Sequence, residues 1–300
     1  MFLNFQTFNK NMEMQGIIKN KKLISQDEWK KYIHSLKTNK TEINKEKCKE
    51  LIKDTLIKSI KKRTLNLNKF GILFSGGIDS SVIALICKQL GCDFKCYAIG
   101  LENSKDLEWT EKTALALNLK LKTVTLELDE AETIIKKVIE ILKQTDIVDV
   151  GVGSVIHAGI KLAKKDLINT LFTGTGSDEM FAGYNRFENI KNINKECWSS
   201  LNNLFKDLKR DFLIAKSQKA TLATPFLDEK VIKSAMQTPS RYKIKKYILR
   251  EIALDLGLPR EFAFRKKTAA QYGSGIDKAI LKLAKKNGFK YKKNYLMSLS

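Results

Sequence analysis

Between residues 70 and 173, short apolar runs alternate with segments of helical periodicity, and no other feature limits the possible folds as strongly. Strands that alternate with helices of about 10–15 residues predict parallel βαβ units with right-handed crossovers. We therefore expect an α/β fold with a doubly wound parallel sheet. The expected strands are 70–74, 94–99, 121–128 and 168–173, and the expected helices are 80–90, 106–118, 130–143 and 153–165.

The periodicity also predicts how the chain is divided. Residues 1–40 have weak periodicity and are expected to form an N-terminal extension, whereas 41–300 should form one domain. Within that domain we expect a lead-in helix in 41–68, a sheet-containing core in 69–180, and a helical part in 181–300, where no strand pattern is visible.

Composition excludes several classes of protein. The chain has 300 residues, of which 43% are hydrophobic, enough for a sizeable core. It contains neither an apolar run of about 18 residues nor a signal-peptide pattern, so we expect a cytoplasmic protein with no membrane partner. The only two histidines, His34 and His157, leave little basis for a zinc centre or a Ser-His-Asp triad.

The net charge of +22 is concentrated at the two ends of the chain. Residues 1–69 carry 17 basic and 7 acidic residues, 241–300 carry 16 and 4, and 70–240 carry 22 of each. Basic flanks of this kind could contact RNA or nucleotide phosphates. However, 48 of the 55 basic residues are lysine, which is more typical of a solvated surface, so RNA is an open partner but not the favoured one.

The sequence SGGIDSS at 75–81 stands between an expected strand and an expected helix. Gly76 and Gly77 allow a tight turn with exposed amides, and the serines that open the helix add hydroxyls, which together predict an anion site. The pattern is neither a Walker A motif nor GxGxxG. Because Asp79 would repel a phosphate unless a cation bridged them, the motif also indicates Mg²⁺.

A second glycine-containing segment, GTGSDEMFAGY at 174–184, follows the last expected strand. The carboxyl ends of parallel strands meet at one edge of the sheet, where ligands of open α/β folds bind. Asp178 should therefore share a crevice with Asp79, although it lies 99 positions later in the chain. Two carboxylates together with phosphate oxygens suit Mg²⁺.

These motifs resemble those of a known family. The segment 75–80 resembles the pyrophosphate-binding loop of the N-type ATP pyrophosphatases, the PP-loop superfamily with an adenine nucleotide alpha-hydrolase-like fold. The segment 174–184 is similar to the GxGSDExFxGY segment of asparagine synthetases. Further matches are PFLD at 225–228, KYILR at 246–250, and Leu258-Pro259 followed by RKK at 265–267. From about residue 45 to 280, the order and spacing follow the synthetase domain.

The resemblance implies an ATP-dependent carbon–nitrogen ligase. Such an enzyme adenylylates a carboxylate, here aspartate first, releases pyrophosphate, and amidates the product with ammonia. The resemblance implies that Asp79 and Asp178 hold Mg²⁺ and that Lys246 stabilises the charge that develops during adenylylation, which makes these three the candidate catalytic residues. The implied ATP-binding positions are Leu73, Ser75, Gly76, Gly77, Asp79, Ser80, Ile99, Gly174, Gly176, Ser177 and Asp178.

The sequence departs from the family pattern in ways that affect the substrates. Glutamine-using members begin with a glutaminase domain whose first residue is cysteine, whereas this chain has about 40 residues before the synthetase region. We therefore expect free ammonia or a separate glutaminase chain as the nitrogen source. Thr175 stands where asparagine synthetases carry glutamate, and a threonine cannot act as a carboxylate base. Thr221 and Ala223 replace the family's Glu-x-Arg, which weakens the case for aspartate.

Two alternatives remain open on the sequence. One is a tRNA-modifying PP-loop enzyme that uses the basic flanks, with Cys96 and Cys197 as separated thiols, although buried apolar roles are favoured for both cysteines. The other is a non-catalytic ATP-binding subunit that needs a partner, motivated by the substitutions at Thr175, Thr221 and Ala223.

Overall fold

A parallel sheet of five strands crosses the protein in the computed structural model, which describes residues 18–19, 22–37, 41–102, 104–265 and 270–300. Most of the expected 1–40 extension, and Lys266 and Lys267 of the match at 265–267, lie outside the described residues. The strands are β1 (Ile18–Lys19), β2 (Lys22–Leu23), β3 (Phe70–Leu73), β4 (Phe94–Leu101), β5 (Leu121–Leu126), β6 (Thr170–Phe172) and β7 (Thr221–Ala223). Strands β1 and β2 form a separate antiparallel pair.

Helices connect the strands and form the rest of the described fold. They are α1 (Gln26–Ser35), α2 (Lys45–Thr64), α3 (Ile78–Gln89), α4 (Lys105–Ala116), α5 (Leu128–Leu142), α6 (Ile147–Lys164), α7 (Ser177–Met180), α8 (Ile193–Asn203), α9 (Phe205–Ser217), α10 (Glu229–Gln237), α11 (Tyr247–Asp255), α12 (Arg260–Ala263), α13 (Ala270–Gly273), α14 (Ile276–Lys286) and α15 (Lys292–Met297). Within the described ranges, no helix combines the length and the hydropathy needed to cross a membrane.

The strand order is β5-β4-β3-β6-β7, and every neighbouring pair is parallel. The chain winds outward from β3 to β5, then returns to the other side of β3 with β6 and β7. The order therefore reverses between β3 and β6, and a crevice opens at the carboxyl ends of strands at such a point. The α/β, doubly wound parallel prediction is confirmed.

Two apolar cores cover the two faces of the sheet. Adjacent strand residues point to opposite faces, so Phe172 packs in one core while Leu171 packs in the other. Helices α2, α3, α10 and α11 contribute to the core around Phe172, and α5, α6 and α14 contribute to the core around Leu171. Burial on both faces explains why the inner strands read as continuous apolar runs.

Strand β7 corrects the prediction that residues 181–300 are helical throughout. Thr221–Ala223 pairs in parallel with β6 at the edge of the sheet, and all three residues are buried. A strand of three residues is too short to show an alternating pattern, and its place is decided by backbone pairing with β6. The sequence therefore carried no periodic signal for it.

One helix boundary also differs from the prediction. Helix α6 begins at Ile147 instead of 153, because the Asp146 side chain caps it by accepting from the amides of Val148 and Asp149. Gly151 and Gly153, which lower helix propensity, serve close packing: a Cβ on Gly153 would lie 2.8 Å from Ile214.

Helix α1 lies within the expected N-terminal extension and is attached to the main core. Its Trp29 is fully buried, and the indole Nε1 donates to the carbonyl of Leu201 at 2.9 Å. A capping box formed by Ser25 and Glu28 starts the helix. The described part of the extension is thus packed against α8 through one aromatic anchor.

Candidate active site

The loop after β3 forms the first half of the site. It runs from Ser75 to Ser80 and enters α3, whose N-cap is Gly77. Gly76 has φ +61, and a Cβ there would lie 2.9 Å from the Cα of Thr110 in α4, so both the backbone angle and the packing require glycine. The hydroxyls of Ser75 and Ser80 lie 3.4 Å apart. The loop thus offers hydroxyl and amide donors to an anion at the start of a helix.

The loop after β6 forms the second half and touches the first. Ser177 begins α7, and its hydroxyl donates to Asp79 Oδ1 at 2.6 Å. A Cβ on Gly174 would lie 2.6 Å from the Cβ of Asp79. Gly176 adopts φ +94, and a side chain there would overlap Leu227. The close approach of the two loops therefore depends on glycine at 174, whereas glycine at 176 lets the second loop pack against Leu227.

Lys246 lies between the two aspartates of the site. Its Nζ is 2.6 Å from both carboxylate oxygens of Asp79 and 2.9 Å from Asp178 Oδ1. The lysine side chain is 2% exposed, so the three charges interact in a place largely shielded from water. One ammonium and two carboxylates leave one formal negative charge, which favours a further cation.

An unusual backbone conformation places this lysine. Lys245 and Lys246 have φ of +54 and +59, in the left-handed region that costs a residue with a Cβ about 1 kcal/mol. The Lys246 amide donates to the carbonyls of Phe181 and Lys243, and the Lys245 amide donates to that of Ala182. These bonds tie the turn before α11 to the end of α7, so Lys246 is held above Asp178 despite the strain.

Gly183 completes the packing around the pair of charges. A Cβ on this residue would overlap Asp178 Oδ1 and the Cε of Lys246. The Gly183 amide donates to the Asp178 carbonyl at 2.9 Å. The carboxylate and the lysine stem therefore occupy the space that any other residue at 183 would fill.

A buried acid next to Asp178 received no role in the sequence analysis. Glu179 is 5% exposed and accepts a hydrogen bond from the Tyr184 hydroxyl. Burial, with the neighbouring Asp178 charge adding to it, raises the pKa of Glu179 to about 7. Burial also raises the pKa of the Tyr184 hydroxyl, so the tyrosine stays a donor. Both residues lie within the segment 174–184, so that motif was the sequence signal that could have identified them.

Two arginines near the site were also missed. Arg250 Nε donates to the carbonyl of Lys245 at 2.7 Å and so supports the turn that holds Lys246. Burial lowers the pKa of Arg250, whereas the charge of Asp79 raises it, which places the two groups within electrostatic reach. Arg265 forms an ion pair with Asp106 at the start of α4. Arg250 belongs to the KYILR match and Arg265 to the RKK match.

Leu73 and Ile99, the positions implied to contact adenine, lie at the carboxyl ends of β3 and β4. A Cβ on Gly159 of α6 would meet the side chains of both, so these side chains point to the same core. Only their main chains are left to face a ligand at the edge of the sheet. Contact of these main chains with adenine stays a prediction.

The positions that depart from the family pattern lie just after β6 and on β7. Thr175 follows β6, and its hydroxyl is 2.9 Å from that of Thr173. Thr221 and Ala223 are the ends of β7 and are both buried. These three positions thus place hydroxyl and methyl groups where the family pattern has charged side chains.

Cys96 and Cys197 are not exposed thiols, and the described side chains alone do not supply a complete set of metal ligands at this crevice. Cys96 in β4 and Cys197 in α8 are both fully buried, as small apolar side chains are. Across the described ranges, no group of three or more His, Cys, Asp and Glu side chains is arranged to hold a metal ion. A metal at the two aspartates would therefore need ligands from a bound molecule.

Comparison with known proteins agrees with these features. A family model described as asparagine synthase matches residues 51–224 and 207–289. The putative glutamine-hydrolyzing asparagine synthetase 1 of Methanocaldococcus jannaschii is 35% identical over 291 residues, which cover 83% of this chain and 53% of that protein. The glutamine-hydrolyzing asparagine synthetase B of Escherichia coli is 27% identical over 257 residues, which cover 76% of this chain and 45% of that protein. The chain thus spans about half the length of these relatives.

Among solved structures, a "predicted subunit of tRNA methyltransferase" from Methanocaldococcus jannaschii is similar at 22% identity and a TM-score of 0.31, over 67% of this chain and 95% of that one. The family model, by contrast, matches nearly the whole region from the middle of α2 to the loop after α14. That region contains both loops, both aspartates and Lys246. The chain therefore belongs to the asparagine synthase family.

Proposed function

We propose that this chain is an ATP-dependent carbon–nitrogen ligase that adenylylates a carboxylate, aspartate in the first instance, and then forms an amide with ammonia. The observation that carries the proposal is the position of Lys246, within 2.9 Å of both aspartates at the switch point of the sheet. A buried lysine between two carboxylates, beside an anion-binding loop, is suited to receive a charged nucleotide.

In the first step, an oxygen of the substrate carboxylate would attack the α-phosphorus of ATP. The bond from that phosphorus to the oxygen bridging to the β-phosphate breaks, and pyrophosphate leaves with the electron pair. The hydroxyls of Ser75 and Ser80 and the amides of their loop would hold the pyrophosphate. Lys246 would donate to a phosphate oxygen as its charge grows, which stabilises the transition state more than the ground state.

The residues present fit Mg²⁺. Asp79 and Asp178 offer hard oxygen ligands, one formal negative charge remains after pairing with Lys246, and Mg²⁺ is commonly held by one or two carboxylates plus substrate phosphates. When bound with ATP, Mg²⁺ would reduce the repulsion between the nucleotide phosphates and the incoming carboxylate. The aspartates would then serve both the metal and Lys246.

In the second step, ammonia would attack the acyl carbon of the adenylate, and AMP would leave. Thr175 offers a hydroxyl where the family carries a carboxylate, so the nitrogen would have to arrive as neutral ammonia. We propose free ammonia or a separate glutaminase chain as its source. The two curated relatives described above are named as glutamine-hydrolyzing.

The test is to follow label from the carboxylate into AMP. Aspartate carrying ¹⁸O in its side-chain carboxylate is incubated with ATP, Mg²⁺ and ammonia, and AMP is analysed by mass spectrometry. We expect one ¹⁸O per AMP, pyrophosphate in equal amount, and asparagine as product. Lys246→Ala should lower the rate about 10²–10³-fold, the usual cost of removing one transition-state donor.

Lys245→Ala is the matched control for that variant. Lys245 shares the left-handed backbone of Lys246, but its side chain is 65% exposed and pairs with Glu188. The rate of Lys245→Ala should therefore stay close to that of the unchanged protein. If AMP formed without ¹⁸O from any carboxylate tested, adenylylation of a carboxylate would be refuted. Turnover that required tRNA would support the tRNA-modifying alternative, and ATP binding without turnover would support the non-catalytic one.

A further inference from the structure

The end of helix α3 brings two cysteines together through its backbone. The Cys92 amide donates to the Cys87 carbonyl at 3.0 Å, and the Gly91 amide donates to the Lys88 carbonyl at 3.0 Å. Gly91 has φ +67. These three features define a Schellman motif. In this motif the longer of the two backbone bonds, here from Cys92 to Cys87, joins residues whose side chains are commonly in contact.

The side chains of Cys87 and Cys92 occupy those two positions, so the turn brings the two thiols towards each other. Hydrophobic residues usually make this contact. Here it joins two sulfur atoms at a helix end closed by two backbone hydrogen bonds. The pairing follows from the turn itself, and no spacing rule for redox motifs would have found it, since four residues separate the cysteines.

The two thiols differ in exposure and acidity. Cys87 is fully buried, whereas Cys92 is partly exposed. The hydrogen bond from Cys87, helped by one from Thr64, lowers the pKa of the Cys92 thiol to about 6. The same bond and burial raise the pKa of Cys87 well above its usual range. An accessible thiolate is the form of cysteine that a peroxide oxidises first, and the buried thiol beside it is placed to react with the oxidised sulfur.

The third cysteine of this region provides an internal reference. Cys96, in β4, is fully buried, and burial raises its pKa to about 12. It therefore remains a thiol and packs as an apolar side chain. Metal binding does not explain the cysteines of this region either, because no three His, Cys, Asp or Glu side chains in the described ranges are placed to hold an ion.

We propose that Cys87 and Cys92 form a reversible dithiol–disulfide site that a peroxide oxidises. The Cys92 thiolate attacks one oxygen of hydrogen peroxide, forming a sulfenic acid and releasing hydroxide. The Cys87 sulfur then displaces the hydroxyl group of the sulfenic acid, an S–S bond forms, and the proton of Cys87 leaves with that hydroxyl as water. Overall, two thiols lose two electrons and one peroxide becomes two waters.

This site lies apart from the proposed active site. Helix α3 carries the anion-binding loop at its start and the cysteine pair at its end, and Cys87 lies nine positions after Ile78. At 1.5 Å per residue, that is about 13 Å along the axis. The ring closed by the disulfide would contain only Cys87 to Cys92, so the bond would change the helix end with little effect on the loop. The proposal therefore does not depend on the ligase activity.

The test uses the positions of the lysines. Trypsin places Cys87, Cys92 and Cys96 on three separate peptides, 70–88, 89–95 and 96–105. The reduced protein is treated with hydrogen peroxide, its remaining thiols are alkylated after denaturation, and the digest is analysed by mass spectrometry. We expect 70–88 linked to 89–95 with the loss of two hydrogens and 96–105 alkylated, and dithiothreitol added before the alkylation should abolish the link.

Three variants make the result decisive. Cys87→Ser should leave a sulfenic acid on Cys92 that dimedone traps, Cys92→Ser should leave Cys87 reduced, and Cys96→Ala should keep the link. Both serine variants test whether Cys92 is oxidised before Cys87 reacts with it. If one of them does not fold, the other still provides the test. A link between 89–95 and 96–105, a link only between two molecules, or a Cys92 that oxidises no faster than Cys96 would overturn the proposal.

Discussion

At the scale of single residues, the site combines charges whose environments differ sharply. Lys246, Asp79 and Asp178 compensate one another within 2.9 Å. Glu179, the residue after Asp178, is buried beside Tyr184 and has a pKa of about 7. The same few residues thus combine two carboxylates paired with a lysine and a buried acid whose pKa is raised.

The raised pKa of Glu179 predicts a specific pH dependence of stability. Because the folded protein holds this proton up to a pH of about 7, whereas the unfolded chain releases it near 4.5, the free energy of unfolding should fall as pH rises between those values. Glu179→Gln removes that loss and keeps an acceptor for Tyr184. The difference in unfolding free energy between the variant and the unchanged protein should therefore be about 1–3 kcal/mol more in favour of the variant at pH 8 than at pH 5. Urea unfolding at both pH values measures this, and an equal difference at both would contradict it.

At the scale of elements, helix α3 and its two flanking turns show what glycine contributes. Gly76 precedes the helix and Gly91 follows it, with φ of +61 and +67. A Cβ on Gly76 would press against α4, whereas a Cβ on Gly91 would meet nothing within 4 Å. The two positions have the same backbone strain but different packing.

Alanine at these two positions separates strain from packing. Both variants should lose about 1 kcal/mol of unfolding free energy from the left-handed backbone. Gly76→Ala should lose at least about 1 kcal/mol more and most of the pyrophosphate release, since the Ser75–Ser80 loop must move away from α4. Urea unfolding and a pyrophosphate assay, both under reducing conditions, measure the two effects. Equal behaviour of the variants would show that the contact with Thr110 has no importance.

At the scale of the whole molecule, the net charge of +22 should destabilise the folded state through self-repulsion. Salt screens such repulsion, because the Debye length shortens from about 14 Å to about 6 Å between 0.05 and 0.3 M. The unfolding midpoint at pH 7 should therefore rise over this range of sodium chloride. Near the isoelectric point of about 9.6, the rise should be much smaller. A midpoint that falls with salt at pH 7 would instead indicate that attractive pairs dominate.

Much of the fold was readable from the sequence because its signals are local. The three inner strands, β3, β4 and β6, are apolar on both faces, and the glycine-rich turns after β3 and β6 have distinctive residue types. Their positions predicted that Asp79 and Asp178 share a crevice, and the contact of Ser177 with Asp79 across 98 residues agrees with this. Strand β7 was not predicted, because three residues are too few to show a periodic pattern.

The sequence by itself determined the doubly wound parallel sheet and the two loops at its edge, since each depends on residue types at short spacing, whereas Lys246 was indicated only by the family resemblance. Only the tertiary structure decided that Lys246 bridges both aspartates, that Glu179 is buried enough to hold its proton, and that Cys92 meets Cys87. These features depend on burial and on the approach of distant segments. Neither quantity is encoded by a local pattern, because both arise when helices and strands pack together.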